Sequence, residues 1–267
     1  MRTIAHLSDL HFGRVDARLL LPLANCLEQA SLDLVVVSGD LTQRARTAEF
    51  IAARHFLNTL DVPKIIVPGN HDIPLHNVFS RFVQPLAKYQ RYITDDMEPF
   101  YIDEEIAVLG LNTARSLTIK DGKVNRTQIE RVRARLHDVE RHRVKILVTH
   151  HPFDLPAPLG RRDLVAGASL AMHHFARLGV DLLLAGHLHT SEAVTTGARY
   201  PGGAYAALAV QAGTATSTRG RGESNAFNIL RVNASRIEID RMCWFPETSR
   251  FEKTQTHTFT ATQAGWI

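Results

Sequence analysis

The feature that most constrains the fold of this chain is a short apolar run that ends abruptly in a polar loop. Ile65-Ile66-Val67 is followed by Pro68-Gly69 and then by Asn70-His71-Asp72. An apolar run of this length bounded by Pro-Gly is typical of a buried parallel strand that ends in a tight loop. Gly69 is predicted to let the backbone make a turn that a side chain would block. The loop would therefore set an amide, an imidazole and a carboxylate at the end of a strand.

The N-terminal part of the chain alternates between strand-like and helix-like segments. Apolar strands are predicted at residues 3–7, 34–37 and 64–67. Between the first two, Asp16 is a candidate N-cap for a helix that reaches about residue 30. A second helix is predicted by four apolar residues on one helical face: Phe50, Ala53, Leu57 and Leu60. This alternation predicts a parallel sheet with crossover helices, whose ligand crevice lies at the carboxyl ends of the strands.

Further helices and strands are predicted in the rest of the chain. One helix lies near residues 78–91, and Thr127 with Glu130 forms a capping-box pattern at the start of another. The other segments of the middle region are strands at 99–102, 105–111, 144–148 and 180–185, and a helix at 168–178. Beyond them, β-like runs are predicted to form a second sheet that closes a single domain of residues 1–267: 192–197, 205–211, 226–232 and 236–243.

The composition argues against several classes of protein. With 45% hydrophobic and 22% charged residues over 267 positions, the chain has the composition of a globular protein. Two cysteines without CxxC spacing argue against a disulfide framework or a thiolate metal site. No apolar run approaches the ~18 residues of a membrane helix, and no signal segment precedes the first strand, so no membrane contact and a cytoplasmic location are expected. The net charge of +4 permits an anionic substrate, but without a Lys/Arg block nucleic acid is possible and not favoured.

Residues of metal-ligand type lie at the carboxyl ends of five predicted strands. They are Asp9 and His11, Asp40, Asn70 with His71 and Asp72, His150 with His151, and His187 with His189. Carboxylate, imidazole and amide ligands without cysteine suit Mn, Fe or Zn. Any one of these pairs alone is more often a turn former or a hydrogen-bonded structural histidine. Their coincidence at five strand ends instead predicts a metal site.

Together these residues resemble the pattern of the calcineurin-like metallophosphoesterases, complete and in order: Asp9-x-His11, Gly39-Asp40, Gly69-Asn70-His71-Asp72, Thr149-His150 and Gly186-His187-x-His189. The resemblance implies an α/β fold, a four-layer α/β/β/α sandwich of two mixed sheets. It also implies two divalent or mixed-valence transition metal ions (Mn, Fe or Zn). In the family's pattern, one ion is held by Asp9, His11, Asp40 and His189. Asp40 bridges to the second ion, which is held also by Asn70, His150 and His187.

His71 and Asp72 are the catalytic residues that the resemblance implies besides the metal ligands. His71 would face the phosphoryl oxygens or the leaving group as a proton donor. Asp72 would fix the tautomer of His71 and keep it charged. The two ions would polarise the phosphoryl group and lower the pKa of a bridging water, which attacks the phosphorus as hydroxide.

The length of the chain resembles the small bacterial branch that includes class III cyclic nucleotide phosphodiesterases and glycerophosphodiesterases, so a small phosphodiester is the expected substrate. No motif supplies a cation for the third oxygen of a monoester, which also favours diesters. A nuclease or phosphomonoesterase of the same fold is the alternative, followed by a non-catalytic scaffold, although no ligand is missing. His151, Phe153 and the proline-rich loop through Arg162 could form a substrate wall or plain surface. The oligomeric state is left open.

Overall fold

The computed structural model describes residues 1–75, 78–156, 163–201, 205–219 and 222–267. Its strands, numbered in chain order, are β1 (Arg2–Leu7), β2 (Leu34–Ser38), β3 (Lys64–Val67), β4 (Phe100–Ile102), β5 (Ile106–Gly110), β6 (Val144–Val148), β7 (Leu182–Ala185), β8 (Glu192–Thr195), β9 (Leu208–Gln211), β10 (Ala226–Val232), β11 (Arg236–Phe245), β12 (Arg250–Thr262) and β13 (Gly265–Trp266). Its α-helices are α1 (Ala17–Gln29), α2 (Thr47–Asn58), α3 (Val78–Val83), α4 (Ala87–Tyr92), α5 (Arg126–Leu136) and α6 (Ala168–Leu178).

Within these residues the strands form two mixed sheets. The first sheet has the order β13-β12-β11-β10-β1-β2-β3, and the second has the order β4-β5-β6-β7-β9-β8. β1, β2 and β3 run parallel, which confirms the prediction for the N-terminal part of the chain. β5, β6, β7 and β9 also run parallel. Each sheet therefore contributes the carboxyl ends of several parallel strands, from which the candidate site is built.

Apolar side chains fill three layers, one between the sheets and one on each outer face. Alternate residues of β2 point in opposite directions, as in any strand. Leu34 and Val36 pack between the sheets against residues such as Val108 and Ile146, whereas Val35 and Val37 pack on the outer face. Helices α1 and α2 cover the outer face of the first sheet, and α5 and α6 cover that of the second. This arrangement confirms the four-layer α/β/β/α sandwich.

Two predictions about helix boundaries were wrong. The helix predicted near residues 78–91 is broken into α3 and α4, with Pro85 between them, because proline lacks a backbone N–H and its ring clashes with the preceding turn. The capping box at the start of α5 uses Asn125 and Gln128, and Thr127 lies inside the helix. The side chain of Asn125 accepts a hydrogen bond from the backbone N–H of Gln128 at 2.9 Å, since asparagine caps a helix as well as threonine does.

The C-terminal strands divide between the two sheets, so they do not form the second sheet by themselves as predicted. β8 and β9 complete the second sheet, whereas β10 and β11 extend the first sheet from the edge of β1. Two further strands, β12 and β13, were not predicted. Most side chains of β12 are exposed and polar, and β13 is only two residues long, so neither carries an apolar signal.

Asp181 ties the C-terminus of the chain to the second sheet. Its carboxylate accepts hydrogen bonds from Trp266 Nε1 at 2.8 Å, from the Tyr205 hydroxyl at 2.5 Å and from the backbone N–H of Lys145 at 2.8 Å. Burial raises the pKa of Asp181 above its usual range. Because β13 belongs to the first sheet, this carboxylate joins the two sheets. Among the described residues, no helix is both long and apolar enough to cross a bilayer.

Candidate metal centre and active site

Seven of the predicted site residues come together where the parallel strands end. Five of them have a left-handed backbone: Asp9 (φ 52°), His11 (φ 49°), Asp40 (φ 53°), His187 (φ 76°) and His189 (φ 62°). This conformation is uncommon for residues other than glycine. Backbone strain of this kind persists only where the surrounding structure enforces it, and it clusters at functional sites. The loops are therefore shaped to aim these side chains inward.

The first group of ligating atoms belongs to Asp9, His11 and His189. Asp9 Oδ1 lies 3.2 Å from His189 Nε2 and 3.5 Å from His11 Nε2. The two histidine Nε2 atoms are 3.2 Å apart. Ligand bonds of ~2.0–2.2 Å to a common ion would place neighbouring donor atoms about 3–3.5 Å apart. The three side chains are buried and could hold one metal ion.

The second group belongs to Asn70, His150 and His187. Asn70 Oδ1 lies 3.1 Å from His150 Nε2 and 3.2 Å from His187 Nδ1. The two imidazole nitrogens are 3.3 Å apart. His150 Nδ1 donates to the carbonyl oxygen of Ser38 at 2.8 Å, which leaves the lone pair of Nε2 free for a cation.

Asp40 stands between the two groups. Its Oδ2 lies 3.7 Å from His11 Nε2 in the first group, and its Oδ1 lies 3.4 Å from His150 Nε2 in the second. The side chain is almost fully buried. One carboxylate therefore faces both sets of ligating atoms, which is the arrangement that a bridging ligand requires.

The chemistry of the donor set fits divalent metal ions. Asp9 Oδ2 accepts hydrogen bonds from the Ser8 hydroxyl at 2.6 Å and from the backbone N–H of His187 at 3.0 Å. Asp9 Oδ1 is buried and accepts no hydrogen bond from the described residues. A buried carboxylate oxygen costs free energy unless it is paired or coordinates a metal, and this one points at two imidazole nitrogens.

Gly69 and Gly186 make room for the carboxylates. The prediction that a side chain would block the turn at Gly69 is confirmed, although the backbone of Gly69 is extended, with φ −104°, and not left-handed. Glycine is needed here because a Cβ atom would overlap Asp40 Oδ1 and the Asp40 backbone. A Cβ atom on Gly186 would overlap the Ser8 hydroxyl and lie 2.6 Å from Asp9 Oδ2. A side chain at Gly69 or Gly186 would therefore displace a candidate metal ligand, Asp40 or Asp9 respectively.

His71 lies beside the two groups with both ring nitrogens engaged. Nδ1 donates to the carbonyl oxygen of Gln43 at 2.9 Å, and Nε2 accepts from Arg219 Nη1 at 3.1 Å. Burial lowers the pKa of His71 and outweighs the charge of Asp40 and the hydrogen bond to Gln43, which act in the opposite direction. His71 is partly exposed, so the ring is accessible from the open side of the site.

The predicted role of Asp72 in orienting His71 was wrong, because the two side chains do not bond to each other. Asp72 Oδ1 accepts from the backbone N–H and the hydroxyl of Thr42, both at 2.9 Å. Asp72 Oδ2 accepts from the backbone N–H groups of Gly69 at 2.9 Å and Leu41 at 3.2 Å. Burial and the nearby charge of Asp40 raise the pKa of Asp72 to about 6. Asp72 therefore fastens the loop of Asp40 to the turn of Asn70.

The predicted substrate wall is only partly described, and one of its residues was placed wrongly. Phe153 is buried in the core, where its ring lies 5.3 Å from that of Phe175. His151 lies beside His150 and His187, but its Nδ1 bonds the Thr113 hydroxyl at 2.9 Å and its Nε2 bonds the carbonyl of Lys120 at 2.8 Å. Residues 157–162 of the proline-rich loop lie outside the described residues.

Arg219 is the site residue that the sequence analysis missed. Its guanidinium reaches His71, so the argument that no cation is available for a third phosphoryl oxygen was wrong. The sequence analysis found no Lys/Arg block in the chain and so did not single out Arg219. The signal that could have found it is the polar run Thr214-Ala215-Thr216-Ser217-Thr218 before it, which follows an apolar strand as the other site loops do.

Comparison with known proteins establishes the family. A family model of the calcineurin-like phosphoesterases matches residues 2–191, more than half of the chain. The chain belongs to this family. The resemblance noted in the sequence is thereby confirmed.

Relatives of the chain include two named phosphodiesterases. The glycerophosphodiester phosphodiesterase GpdQ of Enterobacter lignolyticus is 31% identical over 125 residues, which span 39% of this chain and 44% of that protein. A probable cyclic nucleotide phosphodiesterase of Synechococcus is 27% identical over 203 residues, or 70% of this chain and 73% of that protein. Among solved structures, a dimetal phosphatase from Danio rerio superposes with a TM-score of 0.67 at 15% identity, covering 97% of this chain and 98% of that one. This last similarity shows the shared fold.

Proposed function

We propose that this calcineurin-like phosphoesterase hydrolyses small phosphodiesters, of the cyclic nucleotide or glycerophosphodiester type, with two divalent or mixed-valence transition metal ions. The observation that carries the proposal is Asp40, whose two carboxylate oxygens face two different groups of ligating atoms. One ion would be held by Asp40 with Asp9, His11 and His189. The other would be held by Asp40 with Asn70, His150 and His187. When bound, two such ions supply positive charge for the phosphoryl oxygens and an activated oxygen nucleophile at neutral pH.

The chain's own residues set where the ester lies. Asn70, His71 and His187 are partly exposed, whereas the other candidate ligands are buried. The ester would therefore approach from the side of these three residues. His71 would face the leaving oxygen with Nε2, because Nδ1 already donates to the carbonyl of Gln43 at 2.9 Å. Nε2 accepts a hydrogen bond from Arg219 in the structure, so it would first take up a proton from solvent and then give that proton to the leaving oxygen.

The choice of diesters rests on the relatives. Two of them are named as a glycerophosphodiester phosphodiesterase and a probable cyclic nucleotide phosphodiesterase. The argument from a missing cation no longer supports this choice, because Arg219 reaches the site. A nuclease or a phosphomonoesterase of the same fold is therefore tested in the same experiment.

A substrate panel tests the proposal. The protein is supplied with Mn and assayed on bis-(p-nitrophenyl) phosphate, p-nitrophenyl phosphate, cyclic nucleotides, glycerophosphodiesters and a single-stranded oligonucleotide. We expect a higher kcat/KM for the small diesters than for the monoester or the oligonucleotide. A monoester preference of about tenfold or more, equal to ~1.4 kcal/mol of transition-state stabilisation, would contradict the choice of diesters. Metal binding without hydrolysis of any ester would indicate a non-catalytic scaffold.

A further inference from the structure

Arg219 reaches the candidate site from a segment that carries no metal ligand. Its Nη1 lies 3.1 Å from His71 Nε2, and its backbone carbonyl oxygen accepts from His189 Nδ1 at 3.2 Å. The backbone N–H of His71 in turn donates to Asp40 Oδ1 at 2.9 Å. Through His71 the guanidinium is therefore linked to Asp40, the residue that faces both groups of ligating atoms.

The segment that carries Arg219 is fastened to the loop of Asp9 and His11. The Thr214 hydroxyl donates to the carbonyl of Asp9 at 2.7 Å, and the Thr216 hydroxyl donates to the carbonyl of Leu10 at 2.8 Å. The backbone N–H of Thr218 donates to the carbonyl of Arg14 at 2.9 Å. These bonds hold the backbone leading to Arg219 in register with the first group of ligands. A group on such a support is placed in advance of binding, which lowers the entropic cost of engaging a ligand.

The charge of Arg219 is available to an anion. Among the described residues, no carboxylate lies within salt-bridge distance of its guanidinium, and the contact with His71 brings no opposite charge. Arg219 is partly exposed, as are Asn70, His71 and His187. The positive charge therefore stands on the same open rim from which a phosphate ester would enter.

We propose that Arg219 binds a terminal phosphoryl oxygen of the bound phosphate group. This proposal rests on the proposed function, because it places the phosphate at the same site. A guanidinium bonds more strongly to a phosphate oxygen than to a neutral acceptor. Arg219 would accordingly give up its hydrogen bond to His71 Nε2 when a phosphate group arrives, and this would free Nε2 to face the leaving oxygen.

The charge of the ligand then decides how much Arg219 strengthens its binding. A phosphodiester carries one negative charge and two non-bridging oxygens, whereas a phosphomonoester or orthophosphate carries up to two charges and has at least three such oxygens. Arg219 therefore favours the dianion. A diesterase with this residue releases a phosphomonoester that binds the site better than its substrate does, so product inhibition by phosphomonoesters is expected.

Orthophosphate is the probe that tests this inference, because its binding can be measured without turnover. The dissociation constant is measured by calorimetry on the Mn-loaded protein, and the inhibition constant is measured against bis-(p-nitrophenyl) phosphate. Arg219→Gln should weaken orthophosphate binding about 10- to 100-fold, the usual size of a hydrogen bond to a charged group. The KM of Arg219→Gln for bis-(p-nitrophenyl) phosphate should rise by clearly less than this factor. Arg219→Lys keeps the charge and should retain part of the affinity, and it provides a second variant if Arg219→Gln folds poorly.

The control is Arg14→Gln. Arg14 is exposed, and its backbone carbonyl pairs with Thr218, so this variant removes the same charge beside the same segment. It should bind orthophosphate as the wild type does. Metal content of every variant is measured in parallel, so that lost metal is not mistaken for lost phosphate binding.

A second pair of variants separates direct binding from an effect through His71. If Arg219 contacts the phosphate, Arg219→Gln weakens orthophosphate binding at least as much in the His71→Ala background as in the wild type, because without His71 the guanidinium has no hydrogen bond to give up. An effect that disappears in that background would overturn the inference, since Arg219 would then act only by positioning His71. An unchanged dissociation constant in Arg219→Gln would overturn it as well. If no ester is hydrolysed but orthophosphate affinity depends on Arg219, the proposed function fails and the phosphate site remains.

Discussion

Replacement of Asp72 by asparagine tests how the loop of Asp40 is held to the turn of Asn70. Each carboxylate oxygen of Asp72 accepts two hydrogen bonds, and three of the four come from backbone N–H groups of Leu41, Thr42 and Gly69. An asparagine amide must put its NH2 group in the place of one of these oxygens. Whichever way the amide turns, the NH2 group meets at least one buried N–H donor and cannot accept from it.

The expected cost follows from the number of donors left without an acceptor. In the better orientation the NH2 group faces Thr42, and only the backbone N–H of Thr42 is left unsatisfied, which costs about 1–3 kcal/mol. In the other orientation the donors of both Leu41 and Gly69 lose their acceptor. A loss of about 1–3 kcal/mol lowers the Tm of a chain of this size by roughly 2–10 °C. Since Asp72 positions the loops of Asp40 and Asn70, metal affinity should also fall by about 10- to 100-fold.

His71→Ala is the matched comparison, because it alters the same turn and leaves the carboxylate of Asp72 intact. Both variants are examined by thermal denaturation, elemental analysis and kinetics. Asp72→Asn should lose stability and metal, whereas His71→Ala should keep its metal and lose rate. If Asp72→Asn keeps wild-type stability and metal content and shows only a weaker form of the His71→Ala defect, Asp72 acts through His71 and the reasoning is refuted.

Three further changes have defined outcomes. Gly69→Ala should lower metal content because its Cβ would overlap Asp40 Oδ1, whereas Gly197→Ala, whose Cβ would meet only Ala206 at 3.5 Å, should keep it; elemental analysis decides. His71→Ala should reduce the rate on alkyl diesters by about 10²–10⁴-fold and on nitrophenyl esters by clearly less, since nitrophenolate leaves without a proton; an equal loss would show that His71 does not donate one. Burial raises the pKa of Asp181 above the ~3.9 of an unfolded chain. The folded state therefore binds the carboxyl proton of Asp181 more tightly than the unfolded state does. The stability that this proton contributes is lost as pH rises from the unfolded pKa through the folded pKa. The unfolding free energy of wild type minus that of Asp181→Asn, from denaturant titrations, should therefore decrease from pH 4 to pH 7, and an increase would contradict the assignment.

The first sheet's parallel strands and the clustered ligands could be predicted because their signals are local. Each ligand follows directly after a short apolar run, as His150 follows β6 and His187 follows β7. Parallel strands bring their carboxyl ends together at one edge of a sheet, so residues far apart in the chain converge without any further information. The apolar runs show that these strands are buried, whereas the four layers were expected from the resemblance to the calcineurin-like metallophosphoesterases.

Contacts between distant segments could not be predicted in the same way. The antiparallel pairing of β1 with β10 joins Ile4 to Leu230, and no local pattern assigns β10 to the first sheet. Likewise, Asp72 bonds the loop of Thr42 instead of its neighbour His71, and Arg219 reaches His71 across the chain. These partners depend on how the loops pack after the sheets have formed. A cytoplasmic location stays a prediction from the sequence.

The measurement that tests the central claim most directly is the metal content of the wild type and of Asp40→Ala. Elemental analysis should find about two transition metal ions per wild-type chain, as a two-metal phosphoesterase site requires. Asp40→Ala should lose most of both, because Asp40 faces both groups of ligating atoms. Asp181→Asn changes another buried carboxylate, one bonded to Trp266 and Tyr205 instead of the site histidines, and should keep its metal. Two ions retained in Asp40→Ala, or full wild-type activity in excess chelator with no metal bound, would contradict the account.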